Sequence, residues 1–330
     1  MTLRPPIVLA AAAALVLAGC GMTTESGEAS GENAWTYTSG DGKTYTAEKM
    51  PERIIAQGEA AAALIAHGIE PVGIFINQPL EDTKALEGVD VSGIPILGET
   101  WGTIDAEKAA ALKPDLIVTT YWSTEKAYGG FEDGVKESSK KVGKLAQVVG
   151  PTADQSVEEM LDGFEELSES LGADLESEQI AADKAAFETA RDRFKDTVAK
   201  AEGLSVLGVS PADDLLYVAV PKHSAELADF SRYGLDITVP DSPDPDFPYW
   251  ENLSWENADK YQPDLILMDD RTYDQAMKIV AKQPTWTKVK AAEAGAVTPW
   301  PAFWISTYRA YAEQLDILSD VVEKADPDLT

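Results

Sequence analysis

Hydrophobic and polar positions change period several times along the chain, and each change predicts an element. Residues 35–48, WTYTSGDGKTYTAE, alternate aromatic or β-branched with polar residues around a Ser-Gly-Asp-Gly turn, the pattern of a β-hairpin. Past Pro51, RIIAQ at 53–57 predicts a short buried strand, EAAAALIAHG at 59–68 a helix closed by Gly68, and PVGIFI at 71–76 another strand. That order is a βαβ unit. IDAEKAAALK at 104–113 then predicts a helix, and because Pro114 cannot continue its hydrogen bonding, PDLIVTT becomes the next strand. Strands alternating with helices imply a largely parallel sheet covered on both faces.

From 156 to 203 the pattern is helical. Ser156 and Glu159 form a capping box, Val157, Met160, Leu161, Phe164, Leu167 and Leu171 keep helical spacing, and Gly172 is a natural stop. A second run at 178–202 sets Ile180, Phe187 and Phe194 seven apart; at 1.5 Å per residue it would be roughly 37 Å long. Short strands and helices then resume: LSVLGV, LLYVAV, the helix SAELADFSRYG, DLILM, and a C-terminal helix around RAYAEQLDILSDVVEKA. The pattern predicts an α/β fold of two lobes, 35–155 and 204–330, with mainly parallel sheets flanked by helices and one long helix in the inter-lobe segment 156–203.

The lobes share a sequence signal. KPDLIVTTYW at 113–122 returns as QPDLILMDDR at 262–271, and one shift of 149 positions also lays Trp101 on Trp250, Glu107 on Glu256 and Ala109 on Ala258. Pro-Asp ahead of an apolar strand is common turn chemistry, but that does not account for the matched Trp and Glu. Two lobes of similar build do.

Composition then narrows the partners. In 330 residues, 57 acidic against 27 basic side chains give a formal net charge of −30, which repels nucleic acid and anionic membrane surfaces. At the N-terminus Arg4, the apolar run 7–19 and Leu17-Ala18-Gly19-Cys20 precede a small, polar stretch. The apolar run is short for a membrane span and fits a secretory signal. This segment resembles the lipobox of bacterial lipoproteins, which implies a signal peptide at 1–19, a lipidated Cys20, a flexible tether over 20–34, and export to the outer face of the cytoplasmic membrane. Cys20 is the only cysteine, so no intramolecular disulfide can form.

In open α/β sheets ligands sit beyond the carboxyl ends of the strands. Tyr121 and Trp122 follow the first PDLI strand; Arg271 and Tyr273 follow the second. Tyr217 lies in LLYVAV, Lys222 and His223 just after it, and Trp300, Phe303 and Trp304 in PWPAFW. The loop DSPDPDFPYWEN adds Tyr249 and Trp250, and Trp101 enters through the repeat. Aromatics gathered on loops at strand ends predict a ligand cleft between the lobes.

The lipobox, the hairpin leading into PERIIAQ, DAEKAAALKPDLIV, the long inter-lobe helix and ENADKYQPDLIL together resemble the solute-binding lipoproteins of bacterial ABC importers for ferric siderophores, haem and cobalamin. The resemblance implies a class III periplasmic-binding-protein-like fold, monomeric and without a cofactor of its own, that hands its ligand to a permease driven by an ATPase. It implies that Glu107 and Glu256 lie on the outer faces and pair with permease arginines. Hydroxamate binders of this family often carry an arginine where this chain has Trp101, and Trp six residues before each glutamate is similar to cobalamin binders. An aromatic, acid-rich cleft nonetheless suits a neutral or cationic ferric hydroxamate better than a trianionic catecholate. Cobalamin and haem remain alternatives within the class. Direct metal binding is disfavoured because only His67 and His223 are present. A carbohydrate-active enzyme using Glu107 and Glu256 is the alternative from another class, and it conflicts with their repeat-equivalent places, since acid and base need unlike environments.

Overall fold

The computed structural model describes residues 34–154 and 156–329; the signal segment and Cys20 lie outside them. The first lobe opens with a hairpin of β1 (Trp35–Thr38) and β2 (Thr44–Ala47), followed by β3 (Ile54–Gln57), α1 (Gly58–Ala66), β4 (Gly73–Ile76), β5 (Ile96–Glu99), α2 (Ala106–Ala111) and β6 (Leu116–Val118). A ribbon of β7 (Tyr121–Trp122) and β8 (Ala127–Tyr128), then α3 (Glu137–Val142) and β9 (Gln147–Val149), complete it. Strands β5-β4-β3-β6-β9 form one sheet in that order, every pair parallel. The sheet grows away from β3 in both directions, so the crevice of a topological switch opens above the carboxyl ends of β3 and β6.

Helices α4 (Val157–Ser170) and α5 (Glu178–Val198) lead into the second lobe: β10 (Ser205–Pro211), β11 (Leu215–Ala219), α6 (Ala225–Arg232), β12 (Asp236–Ile237) and β13 (Trp250–Ser254). Then come β14 (Leu265–Asp269), α7 (Tyr273–Val280), α8 (Lys290–Glu293), β15 (Val297–Trp300) and α9 (Tyr308–Val322). The sheet order is β13-β11-β10-β14-β15, with β12 also on β10. β10, β12, β14 and β15 run parallel, while β11 is antiparallel to both β10 and β13. The second sheet is therefore mixed where the first is wholly parallel.

The repeated Pro-Asp-Leu-Ile does the same work in both lobes. Asp115 accepts hydrogen bonds from the backbone N–H of Glu52 (3.1 Å) and Arg53 (2.8 Å), just ahead of β3. Asp264 accepts from the N–H (2.9 Å) and hydroxyl (2.6 Å) of Ser205, the first residue of β10. Each aspartate ties the start of its own strand to the start of the neighbouring central strand, which sets the register (Ile54 opposite Leu116, Val206 opposite Leu265). Upstream the halves diverge: Glu107 begins a helix, whereas Glu256 sits in a single 3₁₀ turn, Trp255–Asn257.

Ser156 forms the N-cap at the head of α4, as its sequence suggests, by accepting from the N–H of Glu159. The apolar stripe of α4 serves two cores. Met160, Phe164, Leu167 and Leu171 pack with the first lobe, while Val157 and Leu161 pack with the second. Its N-terminal N–H groups at Val157 and Glu158 are capped from the second lobe by Asp229 on α6 (3.1 and 3.3 Å), a buried carboxylate that also accepts from Tyr311 (2.9 Å) and pairs with Arg232 (2.9 Å). The longer α5 has one buried stripe, and it lies along α9, with Phe187 stacked on Tyr311 (5.1 Å) and Arg193 bridging Asp316 and Asp320. The helix embedded in both lobes is thus the shorter α4, about 21 Å long.

Candidate functional site

A cavity of about 870 Å³ lies between the lobes. Two braced loops carry most of its aromatic wall. On the first lobe, Asp154 accepts from the N–H and hydroxyl groups of Ser123 and Thr124 (2.9–3.1 Å) and so fixes the turn bearing Trp122 and Glu125. On the second, Asp244 accepts from the N–H groups of Asp246 (2.9 Å) and Phe247 (3.3 Å) and from the Asn252 amide (2.6 Å), which fixes the loop bearing Phe247 and Tyr249. The loops meet: Tyr249 donates to Glu125 (2.6 Å), and Trp122 lies 6.1 Å from the Tyr249 ring and 5.9 Å from that of Phe303.

Phe303 is the centre of the second-lobe wall. Its ring contacts those of Tyr249, Trp250 and Trp300 at 6.0–6.4 Å, and the Arg271 guanidinium sits 4.9 Å above it. Its backbone is left-handed, with φ 61°. A bulky side chain held there is strained, and such strain gathers where a side chain must be aimed.

The floor is polar. Gln57 ends β3, buried and tied to Thr119. Glu59 on the first turn of α1 and Glu226 on the first turn of α6 line the cavity from opposite lobes, and the field of Arg271 reaches both. Burial raises the pKa of each carboxyl; for Glu226, 1% exposed, it is pushed up to about 8. Glu59 keeps some accessible surface, but that surface faces the cavity, where the walls desolvate it. Arg271 itself is held by Asp269 through Nε (3.0 Å) and Nη2 (2.6 Å). Asp270 accepts from the indole of Trp304 (2.8 Å), and burial raises its pKa to about 6. Among the described residues six acidic side chains line the cavity, Glu59, Glu125, Glu132, Asp133, Glu226 and Asp246, against two basic ones, Lys84 and Arg271.

Of the residues singled out in the sequence, Trp101, Trp122, Tyr249, Trp250, Arg271, Phe303 and Trp304 line this cavity. The others do not. Tyr121 alternates with Trp122 on β7 and turns to Tyr128 (5.2 Å). Tyr217 backs Trp250 (6.2 Å), His223 rests on Tyr249 (5.6 Å), and Trp300 is fully buried against Phe303, so these three form a layer behind the wall. Lys222 is exposed in the 3₁₀ turn Pro221–His223, and Tyr273, the first residue of α7, packs half-buried against the second-lobe core. Trp101 and Trp250 are not matched: Trp101 is 49% exposed at the rim and Trp250 only 7%. Glu107 and Glu256 are exposed and outside the cavity. His67 closes α1, buried against the Ser168 hydroxyl (2.9 Å). Among the described residues no His, Cys, Asp and Glu group is arranged to hold a metal ion.

Gln57, Glu59, Thr120 and Glu226 escaped the sequence reading, although a glutamine ending an apolar strand directly before a helix is a signal that would have found the first. Glu59 and Glu226 look like ordinary first-turn acids, favourable at any helix start.

Residues 78–302 match the family model described as periplasmic binding protein, and the chain belongs to that family. It is similar to DesE, a ferric-siderophore receptor protein from Streptomyces coelicolor, at 31% identity and a TM-score of 0.79 over 88% of this chain and 99% of that one. The fold is shared with the siderophore periplasmic binding protein from the fuscachelin gene cluster of Thermobifida fusca (21% identity, TM-score 0.60, covering 83% and 96%). FhuD2 from Staphylococcus aureus, solved with bound ferrioxamine B, shares it too (20%, 0.57, covering 82% and 98%). No curated protein sequence matches significantly. Among the described residues no helix is long and apolar enough to cross a membrane.

Proposed function

We propose that this chain is an extracytoplasmic receptor, held to the membrane through Cys20, that captures a neutral or cationic ferric hydroxamate and passes it to an ABC importer. The observation that carries this reading is the cavity itself: large enough for an iron chelate, walled by Trp122, Tyr249, Phe303 and Trp304, and lined by carboxylates in excess of cations. Aromatic faces suit the apolar backbone of a hydroxamate chelate. The acidic lining opposes a trianionic catecholate complex. The iron is already saturated by the chelator's oxygens, so the protein needs donors and apolar surface, and Arg271 supplies the donor. A corrin sandwiched symmetrically between Trp101 and Trp250 is disfavoured by the burial of Trp250. Exposed Glu107 and Glu256, one on each lobe, are the proposed contacts for permease arginines.

The test is a titration of the purified protein, followed by quenching of tryptophan fluorescence and by native mass spectrometry, against ferrioxamine B, a ferric tricatecholate, haem and cobalamin. A saturable one-to-one complex with ferrioxamine B is expected. Binding of haem or cobalamin alone would overturn the reading.

A further inference from the structure

Glu59 and Glu226 stand in the first turns of α1 and α6, and Ser224 already caps α6 by accepting from the N–H of Leu227, so the Glu226 carboxyl is not its N-cap. Yet both Glu59 and Glu226 line the cavity, from opposite lobes, within the field of a guanidinium that Asp269 already neutralises. The Glu226 carboxyl accepts from its own backbone N–H and from the Ser224 hydroxyl (3.2 Å). Two desolvated carboxyls facing one ligand volume is a costly arrangement unless a positive charge or protons occupy it.

We propose that Glu59 and Glu226 form the charge-selecting pair of the cleft, and that a cationic ligand enters by displacing a proton held there. This rests on the reading of the cleft as a siderophore site and deepens it. The groups around the pair are few. Arg271 lowers the proton affinity of both, and Asp229 raises that of Glu226. Asp269 balances Arg271, and Asp270 is held by Trp304. Lys84, Glu125, Glu132, Asp133 and Asp246 line the remaining wall. In the empty cleft, burial keeps the Glu226 carboxyl protonated up to about pH 8. An arriving cation favours the carboxylate, so the proton leaves to solvent and the net charge of the cleft is preserved. A neutral ligand displaces no proton. An anionic ligand keeps the proton in place and meets only two cations, both already paired: Arg271 with Asp269 and Lys84 with Glu87.

The sign follows from linkage. Release of one proton on binding makes the affinity for a cation rise with pH, by at most about tenfold per pH unit. The rise holds only between the lowered pKa in the complex and about 8 in the empty protein.

Three ferric trihydroxamates that share one core and differ in the tail (ammonium, N-acetyl, N-succinyl) separate the possibilities, titrated from pH 6 to 9 on wild-type protein, Glu59→Gln, Glu226→Gln and the double variant. Thermal melts check that each variant folds. In wild type, the ratio of cation to neutral affinity should rise about fivefold to tenfold from pH 6.5 to 7.5 and level off above 8. In the double variant that ratio should be flat, and discrimination against the succinyl tail should shrink. If all three ligands bind wild type and the ratio is independent of pH, or is unchanged in the folded double variant, the charge-selecting pair is wrong while the siderophore reading stands. If none binds, both fall together.

Discussion

The two lobes carry the same Pro-Asp-Leu-Ile junction and use it alike, yet almost everything around it differs. In the first lobe Asp115 ties down an all-parallel sheet; in the second Asp264 does so within a sheet that turns antiparallel at β11 and β13. Trp101 stands at the cavity rim, while its repeat mate Trp250 is walled in by Tyr217 and Phe303. The cause is topological. Trp250 opens strand β13 and inherits the burial of a sheet residue, whereas Trp101 lies in a turn after β5. A repeated junction therefore reports how strands are started, and it does not mark two equivalent halves of a binding site.

This asymmetry can be broken by substitution. Trp250→Ala should lower the unfolding free energy by about 3–5 kcal/mol in denaturant melts, as expected for an aromatic taken from a core; a variant as stable as wild type would restore the symmetric picture. Next in size is the aspartate pair. Asp264 is 1% exposed and Asp115 is exposed, so Asp264→Ala should cost about 2–3 kcal/mol and Asp115→Ala about 1 kcal/mol or less, because solvent replaces the lost bonds only at the exposed site. Equal losses would show that exposure does not separate them. Trp101→Ala should leave stability within about 0.5 kcal/mol but weaken ligand binding by about 2 kcal/mol, roughly thirtyfold, read by isothermal titration. Unchanged affinity would remove Trp101 from the site.

The last contrast concerns pH, and it has opposite sign in the two lobes. Burial raises the Glu226 carboxyl from the ordinary 4.5 to about 8, so its contribution to stability is fully present below 4.5 and is lost as pH rises through 8. Burial lowers the His67 imidazole from 6.5 to about 4, so its contribution is present above 6.5 and is lost as pH falls through 4. Melting-temperature differences between wild type and Glu226→Gln should therefore shift against wild type from pH 5 to 8. For His67→Gln they should shift against wild type from pH 6.5 to 4. A flat difference curve for either variant would show that its group is not held in the neutral form.

What could be read in the sequence depended on how local the cause was. The hairpin of β1 and β2, the capped α4 and the start of α5 were legible because turn residues, Ser156 and the apolar spacing act within one or two turns of chain. Strand β6 was legible because Pro114 ends the helix before it. The antiparallel excursion of β11 and β13 was not, since nothing within LLYVAV says which neighbour it will pair with. The cavity wall divides the same way. Loop aromatics such as Trp122, Phe303 and Trp304 were found by their place after strands. Tyr121 was misplaced because on a two-residue strand the facing alternates, and Trp300 because the last residue of a strand points into the core as readily as out of it. The polar floor was missed because a buried glutamate and a surface helix-start glutamate are written identically. Only the packing of one lobe over the other makes Glu59 and Glu226 neighbours of one cavity.

Helix α4 bears on how such proteins can be reassembled. Because one of its faces belongs to each core and its first N–H groups are bound by Asp229, a lobe exchanged with a relative would have to bring a matching half of α4 with it. A crossover at 150–156 leaves Met160, Phe164 and Leu167 facing a foreign first lobe; one at 171–177 leaves Val157, Leu161 and the Asp229 cap facing a foreign second lobe. Recombination between receptors for different ligands would then be tolerated only where both faces of a 14-residue helix already agree, so new specificities in this architecture are easier to reach through the braced loops around Asp154 and Asp244 than by trading lobes.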